Sequence, residues 1–324
     1  MTLPLAAPTH RRPARWITLV IWGALSIAIV VVARSLPWDR TVGLLQRVHP
    51  GWVAIALACN VAILPLWVIE WRLLSPRAMR PSFGRMWDVV TISAAVLNTV
   101  PFLAGEASAV GLLVERAGLA RGAALSVLAL DQLLVAFAKL LVIAVAAVNA
   151  PLPDWLRAGV LSLGAAFLIL LVSLVTLAHR WAALAERLAS VPGRLRQVGA
   201  RLLAWGEHFE LLRDFRRALR VAALAIAKKG VELAAIIAVQ VAFGLDPSLT
   251  SGLLVLAALA ITTLLPVAPA NLGVYEATTY AAYRFVGVAP EVALGMAIVQ
   301  HVLFLVPPIV IGYGTLTWRG LSLR

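Results

Sequence analysis

One cysteine, Cys59, stands in 324 residues, and it lies inside an apolar run. An internal disulfide is excluded, and so is a thiolate metal site. Five histidines are scattered along the chain without metal-ligand spacing, so no metal is expected. No G-x-x-x-x-G-K-S/T loop occurs, so neither ATP hydrolysis nor any cofactor is expected. Charge is scarce as well: Asp, Glu, Lys and Arg make up 13% of the chain, with 28 basic residues against 15 acidic ones. The net charge of +13 would suit nucleic acid, but the arginines lie between apolar runs rather than on one polar face. They read as topology signals and contacts to anionic lipid, and nucleic acid is not expected as a partner. No polar linker separates two cores, so residues 1–324 read as a single membrane domain.

What the chain has in abundance is apolar sequence. It is 62% hydrophobic, with a mean hydropathy of +0.93, against about 45–50% apolar in soluble domains. The class expected is an all-α polytopic membrane protein. His10, Arg11, Arg12 and Arg15 precede Trp16–Ala33 in the manner of a signal peptide, but this stretch is long and lacks an A-x-A-like cleavage site, so it reads as a retained first span. Clear spans follow at Trp52–Ile69, Ala123–Val148, Ala158–Ala178, Val221–Phe243 and Val292–Tyr313. Val89–Leu113 and Gly252–Tyr283 are shorter or broken.

The loops assign sides. The N-terminus is basic, 71–88 carries Arg72, Arg77, Arg80 and Arg85, and 179–220 carries nine arginines against four acidic residues. The C-terminus carries Arg319 and Arg324, whereas 149–157 and 244–251 hold only Asp154, Arg157 and Asp246. The positive-inside rule puts both termini, 71–88 and 179–220 in the cytoplasm. With 71–88 inside and 149–157 outside, Ala123–Val148 already supplies the one crossing needed. Val89–Leu113 must therefore turn back on itself, and the same parity applies to Gly252–Tyr283 from the outer side.

Both turning stretches contain one pattern. Asn98 to Ala107 reads N-T-V-P-F-L-A-G-E-A, and Pro266 to Ala277 reads P-V-A-P-A-N-L-G-V-Y-E-A. Glu106 and Glu276 are 170 positions apart, and Gly118 and Gly287 are 169 apart. Two inverted repeats are expected, roughly 16–148 and 158–314, with about six full spans and two re-entrant Pro/Gly hairpins. The competing reading is that Pro101 and Pro269 merely kink ordinary helices. Residues 195–220 place Leu195, Val198, Leu202, Trp205, Phe209 and Leu212 at steps of three and four, which predicts a cytoplasmic amphipathic helix.

A glutamate at membrane depth costs roughly 2.5–3.5 kcal/mol and marks a functional candidate. Paired, Pro/Gly-broken segments in two halves of a chain point to a transporter's midplane site. The candidate substrate path is therefore Asn98, Pro101, Gly105 and Glu106 from the first stretch and Pro269, Asn271, Gly273 and Glu276 from the second. Asp131 and Lys139, two turns apart on one span, need partners on other elements. Gln300 and His301 stand at the equivalent place in the second repeat, and His301 is open to an interhelical hydrogen bond or to a substrate or proton role. Lys228, Lys229 and Glu232 read as a local ion pair of Lys228 with Glu232, and Glu70 with Arg72 reads the same way. Arg284, on the return arm of the outer hairpin, is a candidate for a lipid phosphate or for Glu291.

These residues resemble the flippase-like membrane family related to the transmembrane region of lysylphosphatidylglycerol synthase. P-F-L-A-G-E (101–106), G-L-A-R-G-A-A-L (118–125), P-A-N-L-G-V-Y-E (269–276) and G-V-A-P-E-V-A-L (287–294) carry the resemblance. Ala107–Leu113 has no arginine where the family often has one, and Asp131-Gln132 and His301 stand where it often has Glu-Arg and Arg. The resemblance implies a bacterial cytoplasmic (inner) membrane protein that moves an amphipathic lipid or lipid-linked precursor between leaflets. Phospholipid, glycolipid and polyisoprenoid or hopanoid lipids are all open as partners, as are lipid-biosynthesis enzymes. The chain ends eleven residues past its last span, so a stand-alone protein without the synthases' aminoacyl-transferase domain is expected, and not an enzyme. Two alternatives remain: a non-transporting scaffold of a lipid-biosynthesis complex, and an intramembrane lipid-modifying transferase using Glu106, Glu276, Asp131 and His301 as acid–base groups. No nucleophile–base spacing supports the transferase.

Overall fold

The structure is a computed structural model; it describes residues 43–44, 48–100, 104–149, isolated positions between 158 and 187, 214–263 and 269–319. The spans expected at Trp16–Ala33 and over most of Ala158–Ala178, and 195–213 of the amphipathic segment, lie outside the described residues, as does Pro101. Everything described is helix and turn. The helices are α1 (Pro50–Leu74), α2 (Phe83–Thr99), α3 (Ala104–Glu115), α4 (Arg121–Asn149), α5 (Phe215–Ala242), α6 (Leu249–Thr262), α7 (Val274–Phe285) and α8 (Pro290–Trp318), with short 3-10 turns at Arg77–Met79 and Pro269–Asn271.

Local chemistry sets these limits. Pro50 and Pro290 open α1 and α8, where a missing N–H costs nothing. Ser82, Asp214 and Ser248 cap α2, α5 and α6 by accepting the N–H of Arg85, Arg217 and Ser251. Gly118 (φ 73°) and Gly287 (φ 87°) stop the chain after α3 and α7 in the left-handed conformation. The segment 215–220, expected in the amphipathic helix, is instead the first turn and a half of α5.

Among the described residues three helices, α1, α4 and α8, are long and apolar enough to cross a membrane. The protein is an all-helical membrane protein. α5 has 28 residues but carries Arg216, Arg217, Arg220, Lys228, Lys229 and Glu232 in its first two-thirds. At about 1.5 Å per residue, α3 and α7, 12 residues each, are about 18 Å long and α6 about 21 Å, short of about 30 Å of hydrocarbon.

The short helices fold back in pairs. A Cβ at Gly105 would sit 3.0 Å from the Cα of Leu97, eight residues earlier. In a continuous helix those positions would be about 12 Å apart, so the chain reverses between α2 and α3 and is not merely kinked. α6 and α7 likewise pack together, with Leu254, Ala258 and Thr262 facing Ala277, Ala281 and Phe285 across one apolar groove.

The order long, short, short, long occurs twice, and its spacing is regular: α7 follows α3 by 170 positions at both ends, and α8 follows α4 by 169. Exchanging α1 with α5, α2 with α6, α3 with α7 and α4 with α8 maps each substantial helix–helix contact onto another. α2 packs on α8 as α6 packs on α4, and α1 with α5 maps onto itself. Two apolar cores result. One gathers the end of α1, α2, α3 and the start of α4 around Trp71, Met86 and Leu113; the other gathers α5 to α8 and the end of α4 around Ile236, Leu256 and Tyr283.

Candidate functional site

The second turn is tied down by a histidine. Ala270 and Asn271 both have φ 55° and Gly273 has φ 82°, so three of four consecutive residues are left-handed. That conformation costs a non-glycine residue roughly 1–2 kcal/mol. Glu276, the third residue of α7, accepts the Gly273 N–H at 2.7 Å through Oε2. Its Oε1 lies 2.7 Å from Nδ1 of His301, and Nε2 of His301 lies 2.9 Å from the Ala270 carbonyl oxygen. The carbonyl only accepts, so Nε2 carries a proton. The carboxyl and Nδ1 then hold one more proton between them, and the pair is neutral as a unit. Such a pair suits a low-dielectric interior better than a bare carboxylate.

Aromatic groups wall this pair. The Tyr275 ring stacks on His301 at 4.2 Å and 8° and lies 5.8 Å from Phe304. Gln300, next along α8, donates to the Tyr275 hydroxyl at 3.0 Å and accepts from the Tyr283 hydroxyl at 3.2 Å. Gln300 and His301 are 4% and 2% exposed, so α8 places two adjacent polar residues on two neighbouring partners of α7.

Glu106 is less fastened than Glu276. Glu106, also third in its helix, has a buried Oε2 without a hydrogen-bond partner, and the Asn271 Oδ1 is in the same condition. Buried polar atoms are almost always satisfied by protein, water or ligand. α2, the helix before Pro101, packs against Pro269–Asn271. Asn98 spends its amide N–H on the Ala94 carbonyl of its own helix. Gly105 and Gly273 have different reasons to be glycine: close approach of Leu97 at the first, positive φ at the second. No hydrogen bond or ion pair among the described residues joins Glu106 to Glu276.

Lys139 reaches the same region from α4. Its Nζ donates to Thr263 Oγ1 at 3.1 Å and to the Thr263 carbonyl at 3.4 Å, at the C-terminus of α6, where the helix dipole favours a cation. Asp131 does not join it. The Asp131 carboxylate accepts indole N–H groups from Trp71 at 2.8 Å and Trp67 at 3.2 Å, both on α1. Arg284 donates to the Val288 carbonyl at 2.5 Å.

A second polar centre was not expected from the sequence. Glu70, fully buried, forms an ion pair with Lys228 of α5, and the Lys228 ammonium lies 5.6 Å from the Trp67 ring centre. The expected Lys228–Glu232 pair is replaced by Lys229–Glu232 at 2.5 Å. Arg72 donates to the Pro81 carbonyl rather than sharing Glu70's setting. The local reading failed because α1 and α5 pack closely and bring residue 228 to residue 70. One signal was present: Trp67, Glu70 and Trp71, at i, i+3 and i+4, lie on one helix face.

A family model for the lysylphosphatidylglycerol synthase TM region matches residues 16–312. The chain belongs to that family. No curated protein matches it. The family match covers both turning stretches, both glutamates, α4 and α8 as far as Gly312, so the paired turns are family territory rather than an appendage. As a member of this family, the chain is a membrane protein related to lipid metabolism or flipping.

Proposed function

We propose that this lysylphosphatidylglycerol synthase TM-region protein is a flippase, moving an amphipathic lipid or lipid-linked precursor between leaflets of the bacterial inner membrane without changing it chemically. In this reading the two halves are inverted repeats, the α2–α3 and α6–α7 pairs are re-entrant hairpins entering from opposite faces, and both termini are cytoplasmic. The observation that carries it is a helix of one half packed on the broken turn of the other, with polar atoms left open: α2 lies against Pro269–Asn271, the turn braced by Glu276 and His301, and Asn271 Oδ1 in that turn and Glu106 Oε2 at the start of α3 are buried and unpartnered. Irregular backbone at membrane depth is tolerated where it is buried in protein or lines a wet path, and a polar headgroup needs such a path because its dehydration is costly. The chain has no nucleotide loop, so movement runs down a lipid gradient or with protons.

The scaffold reading keeps one observation of its own: both oxygens of Glu276 are already engaged, as a purely structural carboxylate would have them. Proteoliposomes carrying fluorescent phospholipid separate the two. With a membrane-impermeant quencher, empty vesicles lose only their outer-leaflet signal. Vesicles containing a flippase lose inner-leaflet signal as well, and the lipid is recovered chemically unchanged. Loss confined to the outer leaflet, for phospholipid and for glycolipid and polyisoprenoid probes alike, sinks the flippase reading. A modified lipid would point to a transferase.

A further inference from the structure

The far end of the α1–α5 pair carries a pocket that neither the turns nor the buried ion pair uses. It encloses about 200 Å³ and is lined by Arg77, Arg80, Arg216, Arg217 and Arg220 together with Asp214. Among the described residues, five guanidinium groups therefore line it with one carboxylate.

The lining divides into a frame and a free set. Asp214 accepts from Arg77 Nη2 at 2.6 Å and from the Arg217 backbone N–H at 3.1 Å. That N–H first, and the Arg77 and Arg217 charges beside it, hold the Asp214 carboxyl below the usual carboxylate range. Arg217, only 5% exposed, donates Nε to the Leu73 carbonyl at 2.6 Å and Nη2 to the Ser75 carbonyl. These bonds fix the wall of the pocket by joining the start of α5 to the end of α1. Arg80, Arg216 and Arg220 are exposed, and among the described residues no hydrogen bond or ion pair holds any of them. Three uncommitted forks around a fixed concave wall are the donor set that phosphate oxygens match, often two at a time.

Apolar side chains share this end of the molecule. Phe215 (77% exposed) and Leu219 (58%) alternate with the arginines along the first turns of α5, and Met79 and Phe83 are also exposed beside Arg80 in the chain. Solvent alone does not call for that mixture; the boundary between headgroups and acyl chains does.

From this we infer that the pocket is a binding site for a phosphate-bearing anion, presented to it on a lipid headgroup. The site needs only a membrane-embedded chain and does not depend on lipid translocation. An isolated solvated arginine would show neither the shared cavity nor the framed carboxylate.

The test uses the full chain in phosphatidylcholine nanodiscs, titrated with fluorescent phosphatidic acid, a phosphate monoester lipid, and separately with inorganic diphosphate. The triple variant Arg80→Gln/Arg216→Gln/Arg220→Gln removes the free forks and leaves Arg77, Arg217 and Asp214 in place. Arg116→Gln/Arg121→Gln, also exposed, is the control. The triple variant loses about ten-fold in phosphatidic acid affinity while the control changes less than about two-fold, and native binding weakens with added salt. Arg80→Lys/Arg216→Lys/Arg220→Lys keeps the charge and recovers part of the binding, which separates loss of the anion from loss of the fold. If inorganic diphosphate binds the native chain as tightly as the lipid and competes with it, the phosphate chemistry stands and its source is a soluble compound. Equal losses in the triple variant and the control, or none in either, overturn the site.

Discussion

Glu276 lies on α7 and Glu232 on α5, and their surroundings separate them. Glu276 holds a left-handed turn through Gly273 and His301, whereas Glu232 pairs one turn back with Lys229. Glu276→Gln keeps an acceptor for Gly273 but breaks the proton-sharing pair. The amide N–H still donates to Nδ1 of His301, so the variant stays folded, and it slows lipid movement in vesicles more than Glu232→Gln does. Equal, near-native transport in both variants would leave Glu276 as a fastener of the turn. The Glu70–Lys228 pair makes a different claim, about charge balance. Lys228→Met strands a fully buried carboxylate and costs about 3–5 kcal/mol, while Glu70→Leu/Lys228→Met is closer to the native protein than either single variant. Unfolding midpoints of the two single variants and the double variant in one detergent check this; simple additivity would show that the two groups do not depend on each other.

Between elements, glycine decides how close two helices come. A Cβ at Gly312 of α8 would run into the Thr91 carbonyl and the Ala95 side chain of α2, whereas a Cβ at Gly230 of α5 would meet nothing within 4 Å. Small residues let helix backbones approach in a membrane, where no hydrophobic force drives them together. Gly312→Ala therefore destabilises the α2–α8 contact, and Gly230→Ala stabilises by up to about 1 kcal/mol through helix propensity alone. A thermal-shift series on the two variants reads the difference, and a gain at position 312 would show that the helices can part without loss. The helices themselves were legible in the sequence because apolar length and the Pro/Gly stops act locally: α4 and α8 end within a few residues of the apolar runs at Ala123–Val148 and Val292–Tyr313. The partners were not. Glu70 and Lys228 are 158 positions apart, and only the packing of α1 on α5 brings them together. The candidate site was half legible on the same terms. Glu276 and His301 both stood out as polar residues in apolar surroundings, but that they would be bonded to each other depends on how α7 lies along α8. Tyr275 and Tyr283 went unmarked, since tyrosine in an apolar run gives no periodic signal that distinguishes a hydrogen-bonding role from packing.

At the scale of the whole molecule, the contact pattern of the described helices survives exchange of the two halves, and the positive-inside rule applied to the loop arginines predicts on which side each half begins. Together they lead to an arrangement that labelling can check. In an inverted pair, α2–α3 starts and ends on the arginine-rich side, and α6–α7 starts and ends on the other, because each folds back before crossing. The native Cys59 is first replaced by alanine, which leaves a chain without thiols. Single cysteines then go to Arg80 and Glu115, which flank the first helix pair, and to Pro247 and Phe285, which flank the second; all four lie outside the apolar cores. A membrane-impermeant thiol reagent applied to right-side-out vesicles labels Pro247→Cys and Phe285→Cys, and applied to inverted vesicles labels Arg80→Cys and Glu115→Cys. If the 80 and 115 variants label from opposite sides, α2 and α3 together cross the membrane, the first pair is not re-entrant, and the positive-inside assignment of that half fails. If 247 and 285 split in the same way, the second pair fails alone. Should all four label from one side, each pair still turns back but both enter from the same face. The halves would then be parallel repeats, related by an axis along the membrane normal, and the packing of α2 on Pro269–Asn271 would have to be built without a two-fold axis in the membrane plane.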